Sequence, residues 1–131
     1  MKLKVLSILP SLFWMLIIFY LSSQEQLPDV QVFFKHADKI AHFGVYFILG
    51  IFIKFAFYQN IQNKLMLINI LTLAVGTFFA YTDEYHQSFV PNRVSSLGDL
   101  IFDIFGILLS LFIFDYLRWL IEKSLIKKGF K

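Results

Sequence analysis

Four long apolar runs, separated by short polar stretches, set the pattern of this chain. A helix needs roughly 20 mostly apolar residues to cross a bilayer, with a usual range of about 17–25. The runs are too long for strands and do not alternate between apolar and polar positions, which favours helices. The pattern therefore predicts an all-α integral membrane bundle in a single domain, with four transmembrane helices at about 5–21, 40–57, 65–81 and 100–119.

The first apolar run has a second interpretation, as a signal peptide, since Lys2 and Lys4 precede it. A cleavable signal peptide ends in small residues at fixed positions before the cleaved bond. The sequence Leu-Ser-Ser-Gln at 21–24 is a poor match to that requirement. We therefore expect the first run to stay in the protein as a helix of the bundle.

Composition supports a lipid environment and narrows the chemistry. The 131 residues are 58% hydrophobic and 16% charged, whereas a typical soluble domain is about 25% charged. Small domains bury only a limited fraction of their surface, and a folded chain of this length could not hide this much apolar surface from water. The chain has no Cys, which excludes disulfides and thiolate metal sites. Its net charge of +3 is small, and we predict no nucleic-acid partner.

The positions of Lys and Arg predict the orientation. With both termini in the cytoplasm, Lys35, Lys39 and Arg93 lie outside. The other nine Lys and Arg residues are then cytoplasmic: Lys2, Lys4, Lys54, Lys64, Arg118, Lys123, Lys127, Lys128 and Lys131. This distribution follows the preference of short cytoplasmic loops for positive charge. The basic tail at 122–131 is then expected to lie near anionic lipid head groups.

In this orientation the unusual polar residues collect near the extracytoplasmic face. Residues three or four positions apart share one face of a helix, and three predicted helices each carry one polar or small face. These faces are Asp38, His42, Tyr46 and Gly50; Asn69, Thr72, Gly76, Ala80, Asp83 and Gln87; and Asp99, Asp103, Gly106 and Ser110. Facing them together predicts a bundle with a polar, charged cavity at its outer end.

His42 and Asp103 lie about one turn inside the predicted hydrocarbon. A charge at the bilayer centre costs about 2.5–3.5 kcal/mol on insertion scales, so such residues usually face the bundle and have partners. We expect Asp103 to pair with Arg93 or His42. Charges at helix ends have a simpler explanation as boundary residues, and Asp99 also suits the cap of its helix. The candidate ligand-binding residues are Gln24, Asp38, Lys39, His42, Tyr46, Asp83, Glu84, Gln87, Arg93, Asp99 and Asp103.

Two sequence strings in this set resemble the VanZ-like family. They are Asp-Lys-x-x-His-Phe at 38–43 and Asp-Glu-x-x-Gln-x-Phe-x-Pro-x-Arg at 83–93, accompanied by Ser-Ser-Gln at 22–24, Asp99 and Gly106. The resemblance covers most of the chain, with Asp103 standing where the family pattern commonly has Asn. It implies a bacterial cell-envelope protein in the cytoplasmic membrane, and the family's name-giver is associated with low-level resistance to the glycopeptide teicoplanin.

Three classes of function remain open from the sequence. The first is binding or modification of an anionic lipid-linked envelope precursor, with Lys39 and Arg93 pairing with phosphate. The second is a membrane enzyme, in which Asp38 orients His42 for proton transfer. The third is a helical scaffold whose polar network only specifies packing. Membrane lipids are the expected partners in each class, and the oligomeric state is not predicted.

A metal centre is a variant of the enzyme class. Asp83, Glu84 and Asp99 offer the oxygen ligands that hard divalent cations prefer, and His42 is near enough in the pattern to join them. The spacing matches no known ligand motif, however, and Lys39 and Arg93 compete as counter-ions. The sequence therefore predicts neither a metal nor a cofactor.

Overall fold

The computed structural model describes residues 4–25, 37–93 and 95–127. Within them, a short 3₁₀ turn at Val5–Ser7 precedes four α-helices, and no strand is present. The helices are α1 (Leu9–Ser22), α2 (Ala37–Asn60), α3 (Leu65–Gln87) and α4 (Leu97–Lys127). All four, with α1 counted together with the turn, are long and apolar enough to cross a membrane. The predicted all-α membrane fold is confirmed.

The helices differ from the predicted spans mainly at their ends. α2, α3 and α4 extend past the predicted limits 40–57, 65–81 and 100–119 because the polar residues flanking each apolar run continue the helix. The length of an apolar run corresponds to the thickness of the hydrocarbon layer. Backbone hydrogen bonds can continue the helix beyond that layer, into the head-group region. α1 begins later than predicted, at Leu9, with Pro10 in its first turn, where proline costs no intrahelical hydrogen bond.

Short connections make the neighbouring helices antiparallel. Residues 61–64 join α2 to α3, and Asn63 adopts a positive φ of 55° in this turn. The connection between α3 and α4 contains a second such residue, Asn92, with φ 62°. As a result, the C-terminal ends of α1 and α3 and the N-terminal ends of α2 and α4 lie at one end of the bundle. We call this the acidic end, because Asp38, Asp83, Glu84, Asp99 and Asp103 lie there.

α2 and α4 form the most extensive contact in the bundle, and glycines allow it. A Cβ atom on Gly106 would lie 2.3 Å from the Phe43 carbonyl oxygen, and one on Gly50 would lie 3.2 Å from the Ile107 Cα atom. Small residues let membrane helices approach closely, where dispersion and polar contacts hold them. This approach places the polar face of α2 directly opposite that of α4.

The polar and small faces point inward, as predicted. Most of their members are buried: Tyr46, Gly50, Thr72, Gly76, Ala80, Asp83, Gln87, Asp99, Asp103, Gly106 and Ser110. The outward surfaces carry large apolar side chains, including Phe13, Phe78 and Phe112. α1 packs on the outside of this arrangement, with Ile18 in the core and the Trp14 indole nitrogen donating to the Val45 carbonyl oxygen at 3.0 Å.

The predicted charge placements at Lys2, Lys35, Lys128 and Lys131 concern positions outside the described residues. The orientation of the termini remains a prediction.

Candidate functional site

Three side chains of α2 meet three carboxylates at the acidic end. Lys39, His42 and Tyr46 lie roughly one turn apart on the inward face of α2, so each reaches a different depth in the bundle. Their nearest carboxylates belong to Asp99, Asp103 and Asp83, respectively. These contacts therefore lie at successive depths along the bundle axis, because the α2 residues that make them are about one helical turn apart.

The deepest charge in the site belongs to Asp103. Its residue is 0% exposed, and its Oδ1 lies 3.0 Å from the His42 Nδ1. Glu84, 5% exposed, approaches the same imidazole nitrogen from α3, with its Oε1 at 4.0 Å. His42, Glu84 and Asp103 each offer one ligand-type atom within 4.8 Å of the others. Two carboxylates from different helices thus converge on one imidazole.

Glu84 is oriented by the segment that leads into α4. Its Oε2 accepts hydrogen bonds from the Ser95 hydroxyl at 3.0 Å and from the Ser96 backbone N–H at 2.9 Å. The Ser96 hydroxyl in turn accepts from the Gly98 N–H at 3.1 Å, the usual geometry of a residue that caps a helix. Both serines therefore fix the start of α4 to the end of α3, and they leave Glu84 Oε1 directed at His42.

Asp83 belongs to a second part of the site, in which its partners are neutral polar side chains. Its Oδ2 accepts from the Tyr46 hydroxyl at 3.2 Å and from the Gln87 amide at 3.1 Å. The same Gln87 amide nitrogen donates to the Ser22 hydroxyl at 3.2 Å. This network connects the C-terminal end of α1 to α2 and α3.

Lys39 closes the outermost layer. Its ammonium lies 2.8 Å from Asp99 Oδ1 and 3.8 Å from Asp38 Oδ2. Asp38 and Asp99 occupy the first turns of α2 and α4, where carboxylates also interact favourably with the helix dipoles. Lys39 therefore balances charge at the start of both helices.

Arg93 is placed differently from the other cations. One of its terminal nitrogens donates to the Leu21 carbonyl oxygen at 3.1 Å, at the end of α1. Its buried Nε has no hydrogen-bond partner, and no carboxylate lies within ion-pair distance of its guanidinium in the described parts of the chain. The guanidinium is half-buried and keeps several N–H donors for another group.

The geometry decides between some predicted pairings and corrects others. Of the two partners predicted for Asp103, it shows His42 and not Arg93. The carboxylate that contacts the imidazole is that of Asp103, not Asp38 as the enzyme hypothesis required. Asp99 lies within the first turn of α4 and binds Lys39, while Ser96 takes the capping position.

The set of cation-ligating carboxylates also changes. The sequence analysis grouped Asp83, Glu84 and Asp99 as oxygen ligands for a hard divalent cation. In the structure Asp83 is engaged by Tyr46, and Asp99 is engaged by Lys39. Glu84 and His42 remain from the predicted set and are joined by Asp103.

Two residues of one motif differ in their contacts. The Gln24 side chain donates to the Tyr20 carbonyl oxygen of α1 at 2.9 Å and makes no other hydrogen bond among the described contacts. Its neighbour Ser22 is buried and joins the Gln87 network. Helical spacing was the usable signal, because Ser11, Ile18 and Ser22 are seven and four residues apart and lie on the buried side of α1.

Comparison with known proteins identifies a family. The model of the VanZ/LLP1 family matches residues 7–119. This range contains all eleven candidate site residues and every predicted span except the first two residues of the first. No curated protein and no solved structure matches the chain.

Proposed function

Since this chain belongs to the VanZ/LLP1 family, we propose that it acts in the bacterial cell envelope, where it binds or modifies an anionic lipid-linked envelope component at the acidic end of its bundle. In this proposal the acidic end faces the extracytoplasmic side of the cytoplasmic membrane, and both termini lie in the cytoplasm. The family's association with teicoplanin resistance fits an action on cell-envelope precursors.

The observation that carries the proposal is the state of Arg93. Its guanidinium makes one hydrogen bond to a backbone carbonyl and has no carboxylate partner among the described residues. An arginine fork binds two oxygens of a phosphate through parallel hydrogen bonds, and this geometry is its main advantage over lysine. Lys39 is already engaged by Asp99, so Arg93 is the primary anion ligand and Lys39 a flanking charge.

The position of Arg93 suits a lipid ligand. Its contact with Leu21 places it beside the end of α1, the helix that packs on the outside of the α2–α4 pair. Exposed apolar side chains of α1 and α3, including Phe19 and Tyr85, cover the neighbouring surface. A head group held by Arg93 would therefore have a path for its acyl or prenyl chain along the lipid-facing helices.

Substitution of Arg93 by Lys tests this role. Lys keeps the charge but loses the planar fork, so Arg93→Lys is expected to reach normal membrane abundance and lose much of its effect. The assay measures susceptibility to envelope-targeting antibiotics in a deletion strain that carries each variant. Retention of an anionic lipid by the purified protein, followed by mass spectrometry, gives a second readout.

Arg118→Lys is the matched control for this experiment. Arg118 lies at the opposite end of the bundle and pairs with Glu122 at 2.6 Å, so its replacement should leave both readouts unchanged. Full function and full lipid retention in Arg93→Lys would remove the anion site and favour the scaffold hypothesis.

The proposed orientation has its own test. The chain has no Cys, so single cysteines can be introduced on a clean background. An impermeant thiol reagent should label Gln26→Cys and Asn92→Cys in intact cells, and Gln62→Cys, in the α2–α3 turn, only after the membrane is opened. The reverse pattern would place the acidic end in the cytoplasm.

A membrane enzyme is the second candidate, and the contact between His42 and Asp103 favours it. A carboxylate 3.0 Å from an imidazole can hold its orientation during proton transfer. His42→Gln distinguishes the two functions. If the protein only binds its lipid, the variant should retain the same lipid as the unaltered protein. If the protein is an enzyme, the variant should accumulate uncleaved or unmodified substrate.

A further inference from the structure

The strongest unassigned feature is the convergence of His42, Glu84 and Asp103 from three different helices. Each carries one ligand-type atom within 4.8 Å of the other two. Two atoms that each bind a common ion at about 2.1 Å lie at most about 4.2 Å apart. A shift of less than about 1 Å would therefore bring all three atoms onto one ion.

Both carboxylates of this group keep a buried oxygen without a partner in the part of the chain that the structure describes. Asp103 Oδ2 and Glu84 Oε1 are buried and have no hydrogen-bond partner among the described residues. Buried carboxylate oxygens without partners are costly, and most buried polar atoms in proteins are bonded. Because the Ser95 and Ser96 hydrogen bonds occupy Glu84 Oε2, the other oxygen is held toward His42 and Asp103.

No Lys or Arg side chain lies within ion-pair distance of Glu84 or Asp103 in the described parts of the chain. Lys39 pairs with Asp99 at 2.8 Å, and Arg93 donates to the Leu21 carbonyl oxygen. This removes the objection from the sequence that these two residues act as competing counter-ions. A divalent cation at this place would offset the charge of the two carboxylates and take the imidazole as a third ligand.

We propose that His42, Glu84 and Asp103 form a binding site for one divalent transition-metal ion of the Mn²⁺ or Zn²⁺ type. The imidazole ligand disfavours Mg²⁺ and Ca²⁺, which prefer oxygen donors only. Three protein ligands leave an open coordination position, as in metal sites that bind water or a substrate oxygen. The site is a property of these three side chains and does not depend on the anionic ligand proposed above.

Metal titration of the full-length protein tests the site. The protein is purified in detergent, stripped with a chelator and dialysed against MnCl₂ without added lipid, and bound manganese is measured by elemental analysis. We expect one Mn²⁺ per chain, displaced by Zn²⁺ and not by an equal concentration of Mg²⁺. His42→Gln and Glu84→Gln should each weaken binding by about tenfold or more, since even outer-shell changes cost about 10–100-fold.

Matched substitutions exclude general effects of charge and fold. His86→Gln and Glu122→Gln replace the same residue types outside the group and should change the affinity less than twofold. His86 packs against the Phe19 ring, and Glu122 pairs with Arg118. Gel filtration and the fluorescence of Trp14 and Trp119 report whether each variant is folded. If His42→Gln or Glu84→Gln does not fold, Asp103→Asn is tested in its place.

The outcomes separate the metal site from the anion site. Arg93→Lys should bind Mn²⁺ as the unaltered protein does, even if it loses lipid. Binding that survives His42→Gln, or that Mg²⁺ displaces equally well, would overturn the site, as would the absence of stoichiometric Mn²⁺ and Zn²⁺ binding by folded protein.

Discussion

The two ends of the bundle both contain buried ionisable groups, but they satisfy them in different ways. At the opposite end from the acidic one, Lys54 is 0% exposed. Its ammonium lies 2.8 Å from Asp115 Oδ2 and donates to the Leu111 carbonyl oxygen at 2.7 Å. At the acidic end, Glu84 and Asp103 share a single imidazole and keep oxygens without partners in the described residues.

This difference separates a structural ion pair from a candidate site. The contact between Lys54 and Asp115 matches one positive charge with one negative charge. Asp115 Oδ1 also has no partner among the described residues, so the two ends differ in how their charges are matched and not in whether they keep a free oxygen. A buried group whose charges do not balance lowers the stability of the fold unless something binds to it, which is the usual situation at functional sites. A buried charge is therefore a weaker indication of a functional site than a buried charge that has no residue of opposite charge beside it.

The same substitution at the two ends should give the largest contrast. Asp115→Asn leaves the Lys54 ammonium buried without a counter-ion, and breaking a buried pair costs about 3 kcal/mol or more. Asp103→Asn keeps a hydrogen-bonding group beside His42 and removes an unmatched charge, so its cost should stay below about 1 kcal/mol. Thermal unfolding in detergent with a chelator present, followed by tryptophan fluorescence, compares the two variants.

A double substitution checks the interpretation of the opposite end. Lys54→Met combined with Asp115→Leu removes both charges and should recover most of the stability lost in Asp115→Asn, because apolar replacements of a buried pair are often neutral. If Asp103→Asn is destabilised as strongly as Asp115→Asn, the two ends are equivalent and the comparison fails.

Asp103→Leu sharpens the comparison within the acidic end. Leu removes the partner of the His42 Nδ1 and should destabilise the fold by about 2 kcal/mol, the cost of leaving a largely buried polar group unpaired. Asn, which the family resemblance leads us to expect at this position, should fold in nearly normal yield. Membrane abundance and melting temperature measure both variants, and equal values for Leu and Asn would show that the His42 contact contributes little.

Substitution at the close contact between α2 and α4 should have an intermediate effect on stability. A Cβ on Gly106 would lie 2.3 Å from the Phe43 carbonyl oxygen, so Gly106→Ala must push α4 away from α2. Overpacking of this kind costs about 1–3 kcal/mol, and we expect a value in the lower half of that range because the helices can shift together. Melting in detergent measures it.

Gly44→Ala is the control for this substitution on the same pair of helices. No atom lies within 4 Å of a Cβ built on Gly44, and alanine is favoured over glycine in a helix by up to about 1 kcal/mol. The two alanine variants should therefore change the melting temperature in opposite directions. A neutral Gly106→Ala would mean that close approach at this position is not required.

Sequence periodicity predicted the inward faces because membrane helices leave few alternatives. Apolar length fixed the number of helices, and spacing of three or four placed Asp83, Asp103 and Gly106 on buried faces. It also limited the possible partners of Asp103 to a few residues, of which His42 proved correct. These features depend on the local geometry of one helix and therefore can be predicted from one sequence.

The pairings across helices were less predictable because they depend on the relative height and rotation of the helices. Asp38 is nearest to His42 along the chain, yet Asp103 from α4 contacts the imidazole. The burial of Lys54 was missed for the same reason, since its partner Asp115 lies 61 residues later and only the packing of α2 on α4 brings them together. The roles of Ser95 and Ser96 depend on where α4 begins, which the apolar run did not mark.

The smallest expected effect tests how tightly Asp83 is held in the acidic end. Tyr46→Phe removes the hydroxyl that donates to Asp83 Oδ2 at 3.2 Å and leaves the Gln87 amide on the same oxygen. Polar contacts between membrane helices contribute about 0.6 kcal/mol on average, so the melting temperature should fall slightly but measurably. Tyr81→Phe, on an exposed part of α3, removes a hydroxyl of the same kind and should have no effect. A loss well above 1 kcal/mol would mean that the hydroxyl also limits the cost of burying the Asp83 charge, which would extend the unmatched charge of Glu84 and Asp103 to a third carboxylate. No loss would mean that the Gln87 amide alone is sufficient for Asp83 Oδ2.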